Sequence, residues 1–163
     1  MKLRLLLFKE CNRKCKGCCN QYWDIDNLPV CESFKGYDEV ILTGGEPMLK
    51  PDLVLEVVKR IREENPNAKV YMYTALLRSP KIEEVIESLD GITFTIHAQE
   101  DVKESAFLMW VLGEAFGRRK SMRLYLFEGV DTNKTPLDNW EIRNNMKWRT
   151  DCPLPEGEVL MRL

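Results

Sequence analysis

Apolar strand-like segments alternate with amphipathic helix-like segments along most of the chain, and this alternation constrains its fold most. Buried strands are predicted at residues 3–8, 39–43, 69–74, 92–96 and 122–127. Helical periodicity predicts helices over residues 52–64, 80–89 and 101–116. Strands that alternate with helices form parallel sheets with right-handed crossovers, so we predict an α/β fold.

Five parallel strands are too few to close an eight-stranded barrel. The predicted architecture is therefore an incomplete, TIM-like barrel of about five to six strands. Residues 129–163 are predicted to be mostly irregular, with a short helix near Trp140 and a further strand over residues 158–163. A chain of 163 residues suits one hydrophobic core, so residues 1–163 are predicted to be a single domain with its core over about 3–128.

Charge and hydropathy exclude several classes of partner. The net charge of −2 is unlike the basic footprint of a nucleic-acid-binding protein. No apolar stretch reaches the length of a membrane span, and the apolar start is too short for a signal-peptide core. We therefore expect a cytoplasmic protein with neither a nucleic-acid nor a membrane partner. Six cysteines in that compartment are more typical of metal ligands or free thiols than of disulfides.

Three cysteines near the N-terminus follow one another at short spacing. Cys11, Cys15 and Cys18 are separated by three and then by two residues. Three thiolates on one loop suit a 4Fe–4S cluster with one iron open to another ligand, whereas structural zinc normally takes four protein ligands. Cys31 and Cys152 have no partners at ligand spacing, so we expect them, like Cys19, to be small buried or surface thiols. Their roles otherwise stay open.

A Gly-Gly-Glu-Pro turn, residues Gly44, Gly45, Glu46 and Pro47, follows the predicted strand 39–43. Glycines let the backbone approach a ligand closely, and a carboxylate accepts a charge-assisted hydrogen bond from an amine. Loops that follow parallel strands gather at one edge of the sheet, where α/β folds bind ligands. The cysteine loop, this turn and the segments 74–77, 97–100 and 128–129 should therefore meet there.

The order strand, cysteine loop, helix, strand and Gly-Gly-Glu-Pro turn resembles the radical S-adenosylmethionine (SAM) enzymes. The resemblance covers about residues 3–128 and implies that the three cysteines hold a 4Fe–4S cluster whose open iron is chelated by SAM. It implies that residues 44–47 bind the SAM amino group. The implied reaction is reductive cleavage of SAM to a 5′-deoxyadenosyl radical that abstracts hydrogen from a substrate. It requires a one-electron reductant of the flavodoxin or ferredoxin type.

The same resemblance suggests further SAM contacts. Gly17 stands where many such enzymes carry an aromatic residue that touches adenine. The nearby Tyr22 and Trp23 are candidates to supply that aromatic surface, and the alternative is that they belong to the core. Thr74 would bond the carboxylate or ribose of SAM, and Glu128 a ribose hydroxyl or the substrate; both alternatively cap strand ends. His97, the single histidine, stands at the end of the predicted fourth strand and is a further candidate. Its role is either functional or that of a capping or core residue.

Details around the cysteines resemble the small activating enzymes of glycyl-radical proteins, above all the activase of anaerobic ribonucleotide reductase. Gly17 precedes the third cysteine, Asn20 follows it by two residues, and Trp23 lies shortly downstream. The resemblance also makes Asn20 a candidate SAM-binding residue. This resemblance implies a glycine of a partner protein as the substrate. The alternatives are a radical SAM enzyme acting on a small molecule or peptide, and a non-catalytic iron–sulfur electron-transfer or metal-binding module. An electron carrier needs no amine-binding turn, which argues against the last.

Overall fold

An open sheet of seven parallel strands forms the centre of this computed structural model, which describes residues 1–132 and 134–163. The strands are β1 (Lys2–Leu6), β2 (Glu39–Thr43), β3 (Lys69–Thr74), β4 (Gly91–Ile96), β5 (Ser121–Phe127), β6 (Glu141–Met146) and β7 (Glu158–Arg162). Their order across the sheet is β6-β5-β4-β3-β2-β1-β7, and every neighbouring pair is parallel. The predicted α/β fold is confirmed, and the open sheet is consistent with a partial barrel.

Three helices pack on one face of this sheet. They are α1 (Pro51–Glu64), α2 (Ile82–Ser88) and α3 (Gln99–Phe116). Pro51 suits the first turn of α1 because its missing N–H has no helical partner there. The buried side chains of the helices join alternate strand residues such as Leu5, Leu42 and Met72 in one core. No other α-helix in the described residues covers the opposite face. That face carries the intervening strand residues, of which Arg4, Tyr73 and Tyr125 are half-buried.

Two strands lie in the segment 129–163 that we predicted to be mostly irregular. β7 confirms the strand predicted at its end. β6 corrects the prediction, since a turn and then a strand replace the helix expected near Trp140. β6 is an exposed edge strand with the polar sequence Glu-Ile-Arg-Asn-Asn-Met, so no apolar alternation marks it. The described part of the sheet therefore has seven strands rather than five or six. Asn133 lies outside the described residues.

The helix expected between the cysteine loop and β2 is not formed. The described chain has only two short 3-10 turns there, at Cys19–Gln21 and Ile25–Asn27. No helix in the described residues is both long and apolar enough to cross a bilayer.

A disulfide joins Cys19 to Cys152, which corrects the prediction that both are free thiols. Their Cα atoms are 5.3 Å apart although 133 residues separate them in the chain. Cys152 lies on the connection from β6 to β7, and because β7 pairs with β1 this connection must cross to the side of the sheet where the cysteine loop leaves β1. Cys31 is a free, buried thiol, as expected.

Candidate iron–sulfur site

A pocket of about 130 Å³ opens at the carboxyl edge of the sheet, where the strand-end loops meet. The cysteine loop follows β1, and its three thiols line this pocket together. The other lining residues are Arg13, Thr43, Gly45, Glu46, Tyr73, Thr74, Ala75, Thr95, His97 and Trp148. The expectation that the cysteine loop and the Gly-Gly-Glu-Pro turn meet at one edge is therefore confirmed.

The electrostatics of the three thiols suit a metal cluster. Burial raises the pKa of Cys15, and the neighbouring Cys18 and Cys11 raise it further, while Arg13 opposes the shift. Ionisation of Cys15 is therefore disfavoured in the free protein, and bound metal ions would offset the repulsion from its neighbours. No three Cys, His, Asp or Glu side chains in residues 1–132 and 134–163 are arranged to hold a single metal ion. The donor set of three thiols in one pocket nevertheless fits a 4Fe–4S cluster with one open iron.

Arg13, which lies between the first two cysteines, fixes the loop to helix α3. Its Nη1 and Nη2 donate to the two carboxylate oxygens of Asp101, at 2.9 and 2.8 Å. Burial acts to raise the pKa of Asp101, but the hydrogen bonds from Arg13 outweigh it and hold that pKa below its usual value. Sequence reasoning missed this pair. The available signal was an arginine inside the ligand motif and an acidic residue in the first turn of the helix after β4.

Glu46 is buried, and both of its carboxylate oxygens accept hydrogen bonds from the protein. Oε1 accepts from the Met48 N–H at 3.0 Å and from the Thr74 hydroxyl, and Oε2 accepts from the Ala75 N–H at 2.8 Å. Burial raises the pKa of Glu46 above its usual value, against the lowering effect of these bonds. Glu46 thus ties the turn after β2 to the end of β3, which is why Thr74 reaches the same pocket.

The two glycines of the turn let the cysteine loop pack directly on it. Gly44 adopts a φ of +138°, a region that favours glycine, and a Cβ atom on Gly45 would lie 1.7 Å from the carbonyl oxygen of Glu10. The Gly45 N–H donates to the Phe8 carbonyl at 2.7 Å, and Asn20 Nδ2 donates to the Gly44 carbonyl at 2.8 Å. In the structure these groups join the turn to the loop.

His97 lies beside the cysteines at the end of β4. Its Nδ1 is 3.9 Å from Cys15 Sγ, and its ring contacts Phe127 and Trp148 at centroid distances of 4.7 and 4.9 Å. Burial, followed by the charge of Arg13, lowers the pKa of His97 to about 4, so the imidazole is neutral at neutral pH. The structure therefore places the histidine in the site, and its role stays a prediction.

Trp148 covers the cysteine loop and was not among the residues predicted for the site. A Cβ atom on Gly17 would lie 2.7 Å from the Cβ atom of Trp148, so the tryptophan occupies the space of any larger residue 17. The segment that carries it is held by the disulfide at Cys152, whose carbonyl also accepts a hydrogen bond from Trp23 Nε1 at 3.2 Å. The aromatic wall beside the third cysteine thus comes from the C-terminal segment.

Several residues predicted to bind SAM do not line this pocket. Tyr22 is 44% exposed, and Glu128 is exposed at the end of β5. The complete set outside the pocket lining is Asn20, Tyr22, Trp23, Gly44, Pro47 and Glu128. Contacts of these residues with SAM stay predictions, whereas Gly45, Glu46, Thr74 and His97 do share the pocket with the three cysteines.

Comparison with known proteins agrees with this donor set. The family model described as a 4Fe-4S single cluster domain matches residues 2–106, which include the cysteine loop and the Gly-Gly-Glu-Pro turn. No curated protein matches the sequence. The match extends over more than half of the chain and supports a 4Fe–4S cluster in this protein. The chain belongs to the family of 4Fe-4S single cluster domains.

Proposed function

We propose that the protein is a radical SAM enzyme whose 4Fe–4S cluster is held by Cys11, Cys15 and Cys18. The observation that carries the proposal is that these thiols share one pocket with Gly45 and Glu46 of the Gly-Gly-Glu-Pro turn. The matched family is one that occurs in radical SAM enzymes, which supports the same conclusion. An electron-transfer module would need the thiols but not the turn.

When bound, the cluster and SAM supply the one-electron cleavage of SAM that starts hydrogen abstraction from the substrate. The chain binds, orients and encloses them. The Arg13–Asp101 pair fixes the ligand loop to helix α3. Glu46 holds the Gly-Gly-Glu-Pro turn against the end of β3, at the pocket. The neutral His97 packs with Trp148 to form an aromatic wall that excludes water from one side.

A one-electron reductant of the flavodoxin or ferredoxin type is the proposed protein partner. Lys14 and Lys16 alternate with the ligands and are both exposed. Two exposed cations on the ligand loop would attract an acidic reductant to the place where electrons must enter.

A small molecule is the substrate class that one structural feature favours. Trp148 lines the pocket, and the pocket volume of about 130 Å³ lies below even the roughly 300–1,000 Å³ that is usual for small-molecule sites. A space this narrow admits a small chemical group more readily than a loop of a partner protein. The glycine of a partner protein stays the second candidate, because no described helix covers one face of the sheet, which leaves a side from which a partner protein could reach the site.

Anaerobic reconstitution tests the proposal. We expect about four irons per chain and a brown chromophore, and 5′-deoxyadenosine formation from SAM with dithionite. Cys15→Ala should abolish all three, whereas Cys31→Ala, at a free thiol outside the pocket, should retain them. Acceleration of the assay by a glycyl-radical protein would favour the activase reaction. A stable cluster without any SAM cleavage would support the electron-transfer alternative instead.

A further inference from the structure

Three arginine–tyrosine pairs lie on the face of the sheet that no described helix covers. The guanidinium carbons of Arg4, Arg123 and Arg143 lie 5.4, 5.2 and 5.3 Å from the ring centroids of Tyr73, Tyr71 and Tyr125. An arginine stacked on a ring keeps the edge of its guanidinium free. That edge can donate two parallel hydrogen bonds to a carboxylate or phosphate.

The three arginines differ in how well their N–H groups are satisfied. Arg4 donates to Glu158 at 2.9 Å and is also paired with it at 2.8 Å. Arg123 and Arg143 share Glu141, at 3.7 and 3.6 Å, which is beyond hydrogen-bond distance.

The Nε atom of Arg123 is, in addition, buried without an acceptor among the described residues. A buried donor without an acceptor is costly, so this group favours an incoming oxygen atom. Two arginines against one carboxylate also leave one positive charge in excess at this place.

This pair of arginines is adjacent to the cysteine pocket. Tyr73 and Thr95 line that pocket, and the Tyr73 and Tyr125 rings are 6.3 Å apart at their centroids. Tyr125 is the partner of Thr95 in the sheet register, and Arg143 is the partner of Tyr125. Arg123 precedes Tyr125 by two residues, about 7 Å along the strand. One small molecule can therefore span both places.

We propose that Arg123 and Arg143 bind an oxyanion group, phosphate or carboxylate, of a small-molecule substrate whose reacting part lies in the cysteine pocket. That this molecule is a substrate rests on the proposed function, whereas the binding of its anionic group does not. Glu141 acts as the internal counterion that the substrate group displaces.

Calorimetric titration of the cluster-loaded protein with inorganic pyrophosphate and, separately, with citrate tests this site. We expect saturable binding of at least one of them, and the preferred ion identifies the group. Arg123→Gln and Arg143→Gln should each weaken binding about tenfold or more. Arg143 is an exposed edge residue, so its variant should fold even where Arg123→Gln does not. Glu141→Gln should strengthen binding several-fold.

Arg119→Gln and Glu87→Gln are matched controls. They break an ion pair of 2.8 Å at an exposed position outside this face, and they should leave anion binding unchanged. The proposal is overturned if neither ion binds saturably, or if Arg119→Gln weakens binding as much as Arg143→Gln. Binding without SAM cleavage would sustain the anion site while refuting the radical SAM assignment. Cleavage without binding would do the reverse.

Discussion

Among single residues, Gly17 and Trp148 make a close contact at the ligand loop. A methyl group at position 17 would lie 2.7 and 2.8 Å from the Cβ and Cε3 atoms of Trp148. Overpacking of this kind costs about 1–3 kcal/mol. We predict that Gly17→Ala lowers the free energy of unfolding by that amount, measured by urea denaturation of the metal-free protein.

The same substitution in a Trp148→Gly background supplies the control, because the nearest atom of Trp148 is its Cβ, which alanine would keep. With the whole side chain removed, the methyl group has space, so Gly17→Ala should become nearly neutral. An equal loss in both backgrounds would show that the backbone, rather than Trp148, requires glycine.

Glu46 is the residue whose sequence-based role and observed contacts differ most. We predicted a SAM contact, which stays a proposal, and the structure adds a stabilising role through its acceptor contacts with Thr74 and Ala75. Glu46→Gln should lower the unfolding free energy of the metal-free protein by about 1–3 kcal/mol. Both carboxylate oxygens of Glu46 accept hydrogen bonds, and the glutamine amide has only one acceptor oxygen, so at least one of these bonds is lost. Glu10→Gln, at an exposed carboxylate paired with Lys50, should change stability little. Equal stability of both variants would contradict this role.

At the scale of elements, Asp90 joins two strands and a helix. Its carboxylate accepts from Arg62 of α1 at 2.7 Å, and from the Lys69 ammonium and the Val70 N–H of β3 at 3.1 and 2.8 Å. Burial acts to raise the pKa of Asp90, but these bonds outweigh it and hold the pKa below 3.8. The stabilisation is therefore complete above that value and is lost as the pH falls through the lower folded-state pKa.

We predict that Asp90→Asn destabilises the protein at neutral pH and flattens the acid limb of its stability curve. Thermal melts between pH 2 and pH 7 measure both effects. The difference between the two proteins should shrink as the pH falls below 3.8, the usual pKa of aspartate. A difference that stays constant down to pH 2 would show that the loss arises from packing rather than charge.

Elements with a strong apolar pattern could be predicted from the sequence. β2 and β3 have the predicted bounds, since their residues alternate or run apolar and pack on the helices. β6 could not, because an exposed edge strand is held by backbone pairing with β5 and needs no apolar side chains. The short turns after the cysteine loop could not be predicted either. They are held by the disulfide and by hydrogen bonds, which leave no amphipathic pattern in the sequence.

At the scale of the whole molecule, the position of β7 beside β1 decides what surrounds the ligand loop. Local motifs predicted the cysteines and the turn, because residues close in sequence and at strand ends must share an edge. Trp148, the Arg13–Asp101 pair and the Cys19–Cys152 disulfide depend on contacts between segments 88 or more residues apart. No periodicity or spacing encodes such contacts.

The disulfide gives a prediction for the entire chain. A cross-link over a separation of 133 residues restricts the unfolded state strongly. Such bonds contribute about 2–5 kcal/mol, so Cys152→Ser should lower the unfolding free energy of the oxidised protein by that amount. After treatment with dithiothreitol, wild type and variant should unfold alike. A persistent difference under reducing conditions would assign the effect to packing at Cys152 instead.

The contact of Trp148 with Gly17 also has an evolutionary consequence. Trp148 fills the space that a side chain at position 17 would need, and it is contributed from a position 131 residues away. Descendants and relatives of this sequence should therefore change the two positions together. Lineages with tyrosine or phenylalanine at position 17 should have lost the tryptophan at 148, and lineages that keep the tryptophan should keep the glycine.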